Sequence, residues 1–219
     1  MIKIIIQARM GSSRLPGKMM MPIIDEKGAL ELILERITRL ELGQSYELIV
    51  ATTNLEQDEI IYKTCEKIGV NCYQGHPTDV LDRYYNAANM GAHQPQVIIR
   101  LTGDCPLHDV SVIKQVYDDF VENNVDYVSN TNPPTYPDGL DVEVMTYKSL
   151  ENAHHNATSA IEREHVTPYI RETKTKFKCL NYSAQHDYSH YRWTLDEPED
   201  FEFIKKIYEY LYLKNKHFN

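Results

Sequence analysis

Apolar positions along this chain follow two alternating periods. The opening run Ile2-Lys3-Ile4-Ile5-Ile6 is short, β-branched and nearly uninterrupted, as in a strand buried inside a sheet. Leu30, Ile33, Leu34, Ile37 and Leu40 recur at helical spacing and predict a helix over about 29–40. A second strand over 47–51 ends at Thr52-Thr53-Asn54, a helix follows over about 57–68, and Gly69 leads into a third strand near 70–73. Gly75-His76-Pro77 is a turn, Thr78 can cap a helix running to about 90, and 96–101 is a fourth strand.

The second half continues with a helix over 110–121, a strand over 126–129 and a Pro/Asn/Thr-rich loop over 130–139. Strict alternation over 140–145 puts Asp141 and Glu143 on one face and Leu140, Val142 and Val144 on the other. A helical region spans about 148–171 with a break near Thr158, and strands are expected over 177–182 and 191–194. Pro198 opens a last helix whose stripe is Phe201, Ile204, Ile207, Tyr208 and Leu211. Strands alternating with helices imply an α/β fold with parallel pairing and right-handed crossovers. Ligands bind such sheets beyond the C-terminal strand ends. That rim gathers the segment after the first strand, Thr52 and Thr53, and Thr102-Gly103-Asp104. No linker composition divides the chain, so residues 1–219 are expected to form one domain.

Charge changes this picture at one place. The 219-residue chain carries a formal charge of −9, yet no Asp or Glu precedes Asp25. Within that stretch, Gln7-Ala8-Arg9-Met10-Gly11-Ser12-Ser13-Arg14-Leu15-Pro16-Gly17-Lys18 combines glycines, serines and three cations. Exposed amides with Arg and Lys make a nest for polyphosphate, because guanidinium forks match phosphate oxygens in pairs. The spacing excludes a Walker loop: five residues separate Gly11 from Gly17, and Met19, not Ser or Thr, follows Lys18. A GxGxxG dinucleotide pattern is absent as well. The alternative is a solvated basic turn before a helix.

The acidic balance argues against non-specific nucleic-acid or membrane-surface binding. Cys65, Cys72, Cys105 and Cys179 show neither a CxxC pair nor zinc spacing, and are expected as free thiols in a reducing cytoplasm. No signal peptide and no membrane-length apolar run is found, so a cytoplasmic protein is expected. No Ser-His-Asp set or activated cysteine supports covalent hydrolysis.

Five further constellations carry charge. Asp104, in Gly103-Asp104-Cys105-Pro106, either makes a turn hydrogen bond or offers a carboxylate to a hard cation such as Mg²⁺. Asp196 lies just before a helix N-terminus, where acids are favoured anyway, but Pro198 moves the capping position to Glu197 and assigns Asp200 to the helix dipole. Asp79, Asp82 and Arg83 fall within one helical turn and form either an intrahelical ion-paired face or a nucleotide contact. Tyr136, Asp138, Gly139, Asp141 and Glu143 gather acids near the rim, as sugar-hydroxyl ligands or as a solvated face. In Glu162-Arg163-Glu164-His165, Arg163 or His165 could hold an anionic group, or His165 could be structural. His154-His155 lacks metal-ligand spacing and is read as surface.

The segment from Gln7 to Lys18 resembles the signature loop of sugar-activating cytidylyltransferases, including CMP-Kdo synthetases. It resembles more closely the spore-coat polysaccharide biosynthesis protein F family, and the likeness extends through Gly-Asp-x-Pro, Glu162 to Tyr169 and Asp-x-Pro-Glu-Asp almost to the C-terminus. The resemblance implies a three-layer α/β/α nucleotidyltransferase (glycosyltransferase-A-like) fold with a mixed, mainly parallel sheet. It implies CTP and a sugar or sugar-acid acceptor as substrates, with a nonulosonic acid as one candidate, and Mg²⁺ held by Asp104 and Asp196. Arg9, Lys18 and Asp104 are the implied catalytic residues. Gln7, Ala8, Met10, Gly11, Ser12, Arg14, Thr52, Thr53, Asp79, Asp82, Arg83, Thr102 and Gly103 would join Arg9 and Lys18 around the nucleotide. Tyr136 to Glu143, with Glu162, Arg163 and His165, would face the acceptor. A homodimer is usual in the wider family. Two other readings stay open. A nucleotide-sugar glycosyltransferase of the same fold would normally carry Asp-x-Asp, from which Asp104-Cys105-Pro106 departs. A nucleotide-binding protein without turnover would bind CTP and release no pyrophosphate.

Overall fold

The structure is a computed structural model that describes residues 1–173 and 176–218. Among these, strands β1 (Ile2–Gln7), β2 (Tyr46–Thr53), β3 (Asn71–Gly75), β4 (Val97–Thr102), β5 (Tyr127–Ser129), β6 (Glu143–Thr146) and β7 (Cys179–Asn181) form one sheet. Its order is β3-β2-β1-β4-β6-β5-β7. β1 is the centre because neither of its faces meets water. Ile2, Ile4 and Ile6 point into one hydrophobic core and Ile5 into the other. Each such side chain contributes about 1.5–3 kcal/mol when fully buried. Lys3 is buried as well, its ammonium donating to the Ala88 carbonyl at 2.9 Å and pairing with Glu47 at 3.3 Å.

Helices fill both faces. α1 (Ala29–Ile37), α2 (Glu59–Ile68), α4 (Val110–Asn123) and α8 (Pro198–Leu211) supply Leu30, Ile33, Ile61, Val116, Phe120, Ile204 and Tyr208 to the first core. α3 (Val80–Ala88), α5 (Tyr147–Asn156) and α7 (Pro168–Glu172) supply Leu81, Tyr84, Leu150, Ala153 and Ile170 to the second. The result is the expected three-layer α/β/α arrangement. β1, β2, β3 and β4 pair in parallel, so Gln7, Thr53, Gly75 and Thr102 end on the same rim. β6 runs antiparallel to both β4 and β5, which makes the sheet mixed.

Several local expectations are corrected. Asp79, not Thr78, caps α3, accepting the Asp82 amide at 2.9 Å. The helix expected over 57–68 begins with one 3-10 turn, Glu56–Asp58. The helical region expected over 148–171 becomes α5, α6 (Ala160–His165) and α7. Ser159 and Glu162 form a capping box that starts α6, and Val166 ends it at φ 72°. Residues 191–194 form no strand, and only an isolated bridge joins Arg192 to Asp138.

Candidate active site

The phosphate-loop segment, residues 8–18, leaves β1 at the rim and folds on itself. The Met10 carbonyl accepts the amides of Ser12 at 2.9 Å and Gly17 at 3.2 Å, and Gly17 takes φ 77°, which glycine adopts without strain. The loop's start packs on the turn after β4. The Gly103 amide donates to the Gln7 carbonyl at 2.8 Å, and a Cβ at Gly103 would lie 2.8 Å from that oxygen. Only glycine allows this approach, which brings Asp104 beside the loop.

Asp104 is also fixed from the far end of the chain. Its carbonyl accepts the Leu195 amide at 2.7 Å and the Thr194 hydroxyl at 3.2 Å. That splice sets the Asp196 carboxylate next to Asp104, and both reach the same cation. Lys18 Nζ lies 2.8 Å from Asp196 Oδ1 and 3.3 Å from Asp104 Oδ2, with a side chain only 9% exposed. Arg14 adds a second cation on Asp196, at 2.9 Å, and Arg192 a third, at 3.4 Å. Burial alone would raise the Asp196 pKa, but the hydrogen bond and charge of Lys18, then Arg14 and Arg192, hold it below the usual carboxylate value.

These groups open onto a cavity of about 470 Å³, lined by Gln7, Ala8, Arg9, Gly11, Ser12, Arg14, Lys18, Arg83, Gly103, Asp104, His165 and Asp196 among the predicted residues. A loop with three cations thus faces two carboxylates that converge on one of them, Lys18.

A family model described as cytidylyltransferase matches residues 3–218. The chain belongs to the cytidylyltransferase family. It is 38% identical over 214 residues to protein MJ1063 of Methanocaldococcus jannaschii, covering 96% of this chain and 84% of that one. It is 34% identical over 215 residues to the spore coat polysaccharide biosynthesis protein SpsF of Bacillus subtilis, covering 95% and 86%. The solved structure of a cytidylyltransferase from Leptospira borgpetersenii superposes with a TM-score of 0.90 at 35% identity, covering 100% of this chain and 90% of that one. The fold is that of the nucleotidyltransferases, and the protein is an enzyme of that class.

Other predicted residues of this cytidylyltransferase stand back from the cavity. Asp79 is bound by Arg163, at 2.7 Å to Nη2 and 2.9 Å to Nε, so the two neutralise each other across α3 and α6. Burial pushes the Asp79 carboxyl up, and the Arg163 hydrogen bonds outweigh it and hold the carboxyl low. Asp82 accepts His154 Nε2 at 2.9 Å. His154 also stacks on Tyr85 at 4.1 Å, so it is an interface residue, contrary to the surface reading. Glu162 serves the capping box and does not line the cavity. Glu143 is buried against Arg100 and accepts the hydroxyls of Tyr127 at 2.5 Å and Thr167 at 2.6 Å. Asp138 pairs with Arg192 at 3.1 Å, and Tyr136 stacks on Tyr182 with centroids 6.3 Å apart. Gly139 packs against the backbone of Trp193. Asp141 is raised to about 6 by burial first, then by Asp138 and Glu143. Thr102 accepts His108 Nε2 on its carbonyl at 3.2 Å, which requires that nitrogen to carry the proton. Thr52 and Thr53 are buried at the end of β2.

Ser13, Met19, Thr78, Val80, Arg100 and Glu164 line the cavity without having been predicted. Arg100 alternates with the buried residues of β4 and donates to Gln7 Oε1 at 3.1 Å. Its position as the one cation in an apolar strand was a readable signal. Glu164 and His165 reach the cavity because of the turn after them. The Thr167 amide donates to the His165 carbonyl at 2.8 Å around Val166, a γ-turn with positive φ. Such a turn is strained, by about 1–3 kcal/mol, and complete burial of Val166 holds it.

Proposed function

We propose that the enzyme transfers CMP from CTP to a sugar or sugar-acid hydroxyl, releasing pyrophosphate, with Mg²⁺ as cofactor. The observation that carries this reading is the convergence of Asp104 and Asp196 on Lys18 beneath the phosphate loop. The fit to a divalent cation rests on the same geometry, since two carboxylates already share one positive centre. No cluster of three or more His, Cys, Asp or Glu with metal-holding geometry occurs among the described residues. Two carboxylates suit a hard cation that takes its remaining oxygens from phosphates and water.

The acceptor oxygen attacks the α-phosphorus as the bond to the β-phosphate oxygen breaks, and the acceptor's proton passes to solvent or a nearby base. Arg9, Arg14 and Lys18 neutralise the triphosphate, and the loop backbone fixes its path. Asp104 and Asp196 would hold the cation, which supplies charge against that developing on the phosphates. Preorganised position and charge perform the catalysis. The relation to SpsF and the resemblance to CMP-Kdo synthetases support a sugar acceptor for surface polysaccharide. No helix among the described residues is long and apolar enough to cross a membrane, and the reading has the enzyme act as a cytoplasmic homodimer.

Calorimetric titration with CTP, UTP, ATP and GTP, each with and without Mg²⁺, tests the reading. Selective binding of CTP strengthened by Mg²⁺ is expected, followed by pyrophosphate release with the right sugar. A preference for another base, or indifference to Mg²⁺, overturns it.

A further inference from the structure

Asp58 is completely buried, follows the end of β2 and occupies the N-cap position of α2. An aspartate there ordinarily accepts an amide of its own helix's first turn. Asp58 makes no such bond. Its Oδ1 instead accepts the Met10 amide at 2.6 Å, and its Oδ2 accepts the hydroxyl of Thr53 in a very short hydrogen bond. Thr53 Oγ1 in turn accepts the Leu55 amide at 3.2 Å. The helix has given up its cap for a loop far away in sequence.

Met10 is the residue on which the phosphate loop closes, since its carbonyl receives both Ser12 and Gly17. Asp58 fixes the amide of that same residue, so the loop is pinned from within by the Met10 carbonyl and from outside by one carboxylate. The 3-10 turn Glu56–Asp58 lies against the loop at Gly11, where a Cβ would come 2.9 Å from Gln57 Nε2. With the Met10 amide held inward, Gly11, Ser12, Ser13 and Arg14 remain on the cavity wall.

We propose that Asp58 is a positioning residue for the nucleotide's phosphates: it holds the Met10 peptide so that the loop is preformed around a triphosphate. The proposal rests on the nucleotidyl-transfer reading above. Asp58 touches no substrate; it acts through Met10, and it ties the loop to Thr53 at the end of β2. Its effect therefore scales with the number of phosphates the loop holds.

The test compares the affinities of Asp58→Ala and wild type for a nucleoside triphosphate and the matching monophosphate. The base is the one that wild type prefers, so an error about cytosine changes the ligand and leaves the comparison intact. Triphosphate affinity is expected to fall at least tenfold in Asp58→Ala while monophosphate affinity stays within twofold. Asp58→Asn keeps an oxygen for the Met10 amide and can donate to the Thr53 hydroxyl, so it should recover most of the triphosphate affinity. Equal losses for both nucleotides, or unchanged triphosphate affinity, overturn the proposal. If Asp58→Ala has no cooperative melt, amide hydrogen exchange of Asp58→Ser, whose shorter polar side chain loosens the hold on the Met10 amide, decides. Faster exchange confined to residues 9–18 upholds the proposal, and a uniform change across the sheet overturns it. A wild-type protein that binds none of the four triphosphates overturns the parent reading, and this proposal with it.

Discussion

The two walls of the cavity are built by opposite means. On the phosphate-loop wall, the backbone makes the shape and the cations Arg9, Arg14 and Lys18 face the cavity, Arg14 and Lys18 paired with carboxylates that face it too. Behind the opposite wall, between α6 and the approach to β6, the charged side chains bind one another: Arg163 with Asp79, Glu143 with Arg100, Asp138 with Arg192, and of these only Arg100 lines the cavity. On the proposed reading the first wall takes an anion. The second is a brace, and it presents Glu164 and His165 through a strained turn. Charged residues close in sequence thus reveal charge, while their partners, which decide their role, lie far away.

The sharpest break between the walls is catalytic. Asp104→Asn and Lys18→Met should each lower turnover by about a thousandfold or more with an unchanged melt, since they remove charge placed at the reacting phosphates. Steady-state pyrophosphate release and differential scanning fluorimetry check both halves of that statement. Glu143→Gln should do the reverse. It leaves the buried Arg100 without its counter-charge and should cost about 3–5 kcal/mol in urea unfolding.

His108 gives a third, pH-dependent contrast. Burial lowers its pKa to about 4, from an ordinary value near 6.5, so the unfolded chain takes up the proton first. Its stabilising contribution is full above about pH 6.5 and is lost as pH falls toward 4, on the order of 3 kcal/mol in all. A His108→Gln variant, able to donate to the Thr102 carbonyl, should show a flatter stability profile in that window. The smallest effect is expected at the partly exposed Arg163–Asp79 pair of the brace. Arg163→Ala should cost about 1–2 kcal/mol, because its ion pair is partly exposed, and leave kcat/KM for the nucleotide within threefold.

The parallel half of the fold was legible because β1 to β4 and their helices carry regular periods. The loop from Gln7 to Lys18 stood out because it gathers glycines and three cations without an acid, and the structure puts it on the cavity wall. Asp58 was invisible, since an aspartate before a helix looks like a cap and its partner Met10 has no distinctive side chain. The run from Glu162 to His165 was legible as charge, while the partners of its members were not. The capping box and the Asp79 pair use its first two members, and the turn at Val166 delivers the last two. Residues 191–194 look like a strand by alternation, yet Arg192 is held by carboxylates and makes only one bridge.

Asp196 carries Lys18, Arg14 and Arg192 at once, so two of the three loop cations are already paired with the protein's own carboxylates. A triphosphate arriving there trades places with them, as on an ion-exchange resin. Its affinity is then the difference between phosphate and carboxylate as partners for the same cations. Added salt weakens both sides of that exchange, so triphosphate affinity measured across a salt series should fall with a shallower slope than the three loop cations alone would give. A steep slope would mean that the cations stand free in solution. The same trade would release Asp104 and Asp196 at the moment the phosphates settle, making the carboxylates available only when there is something to react.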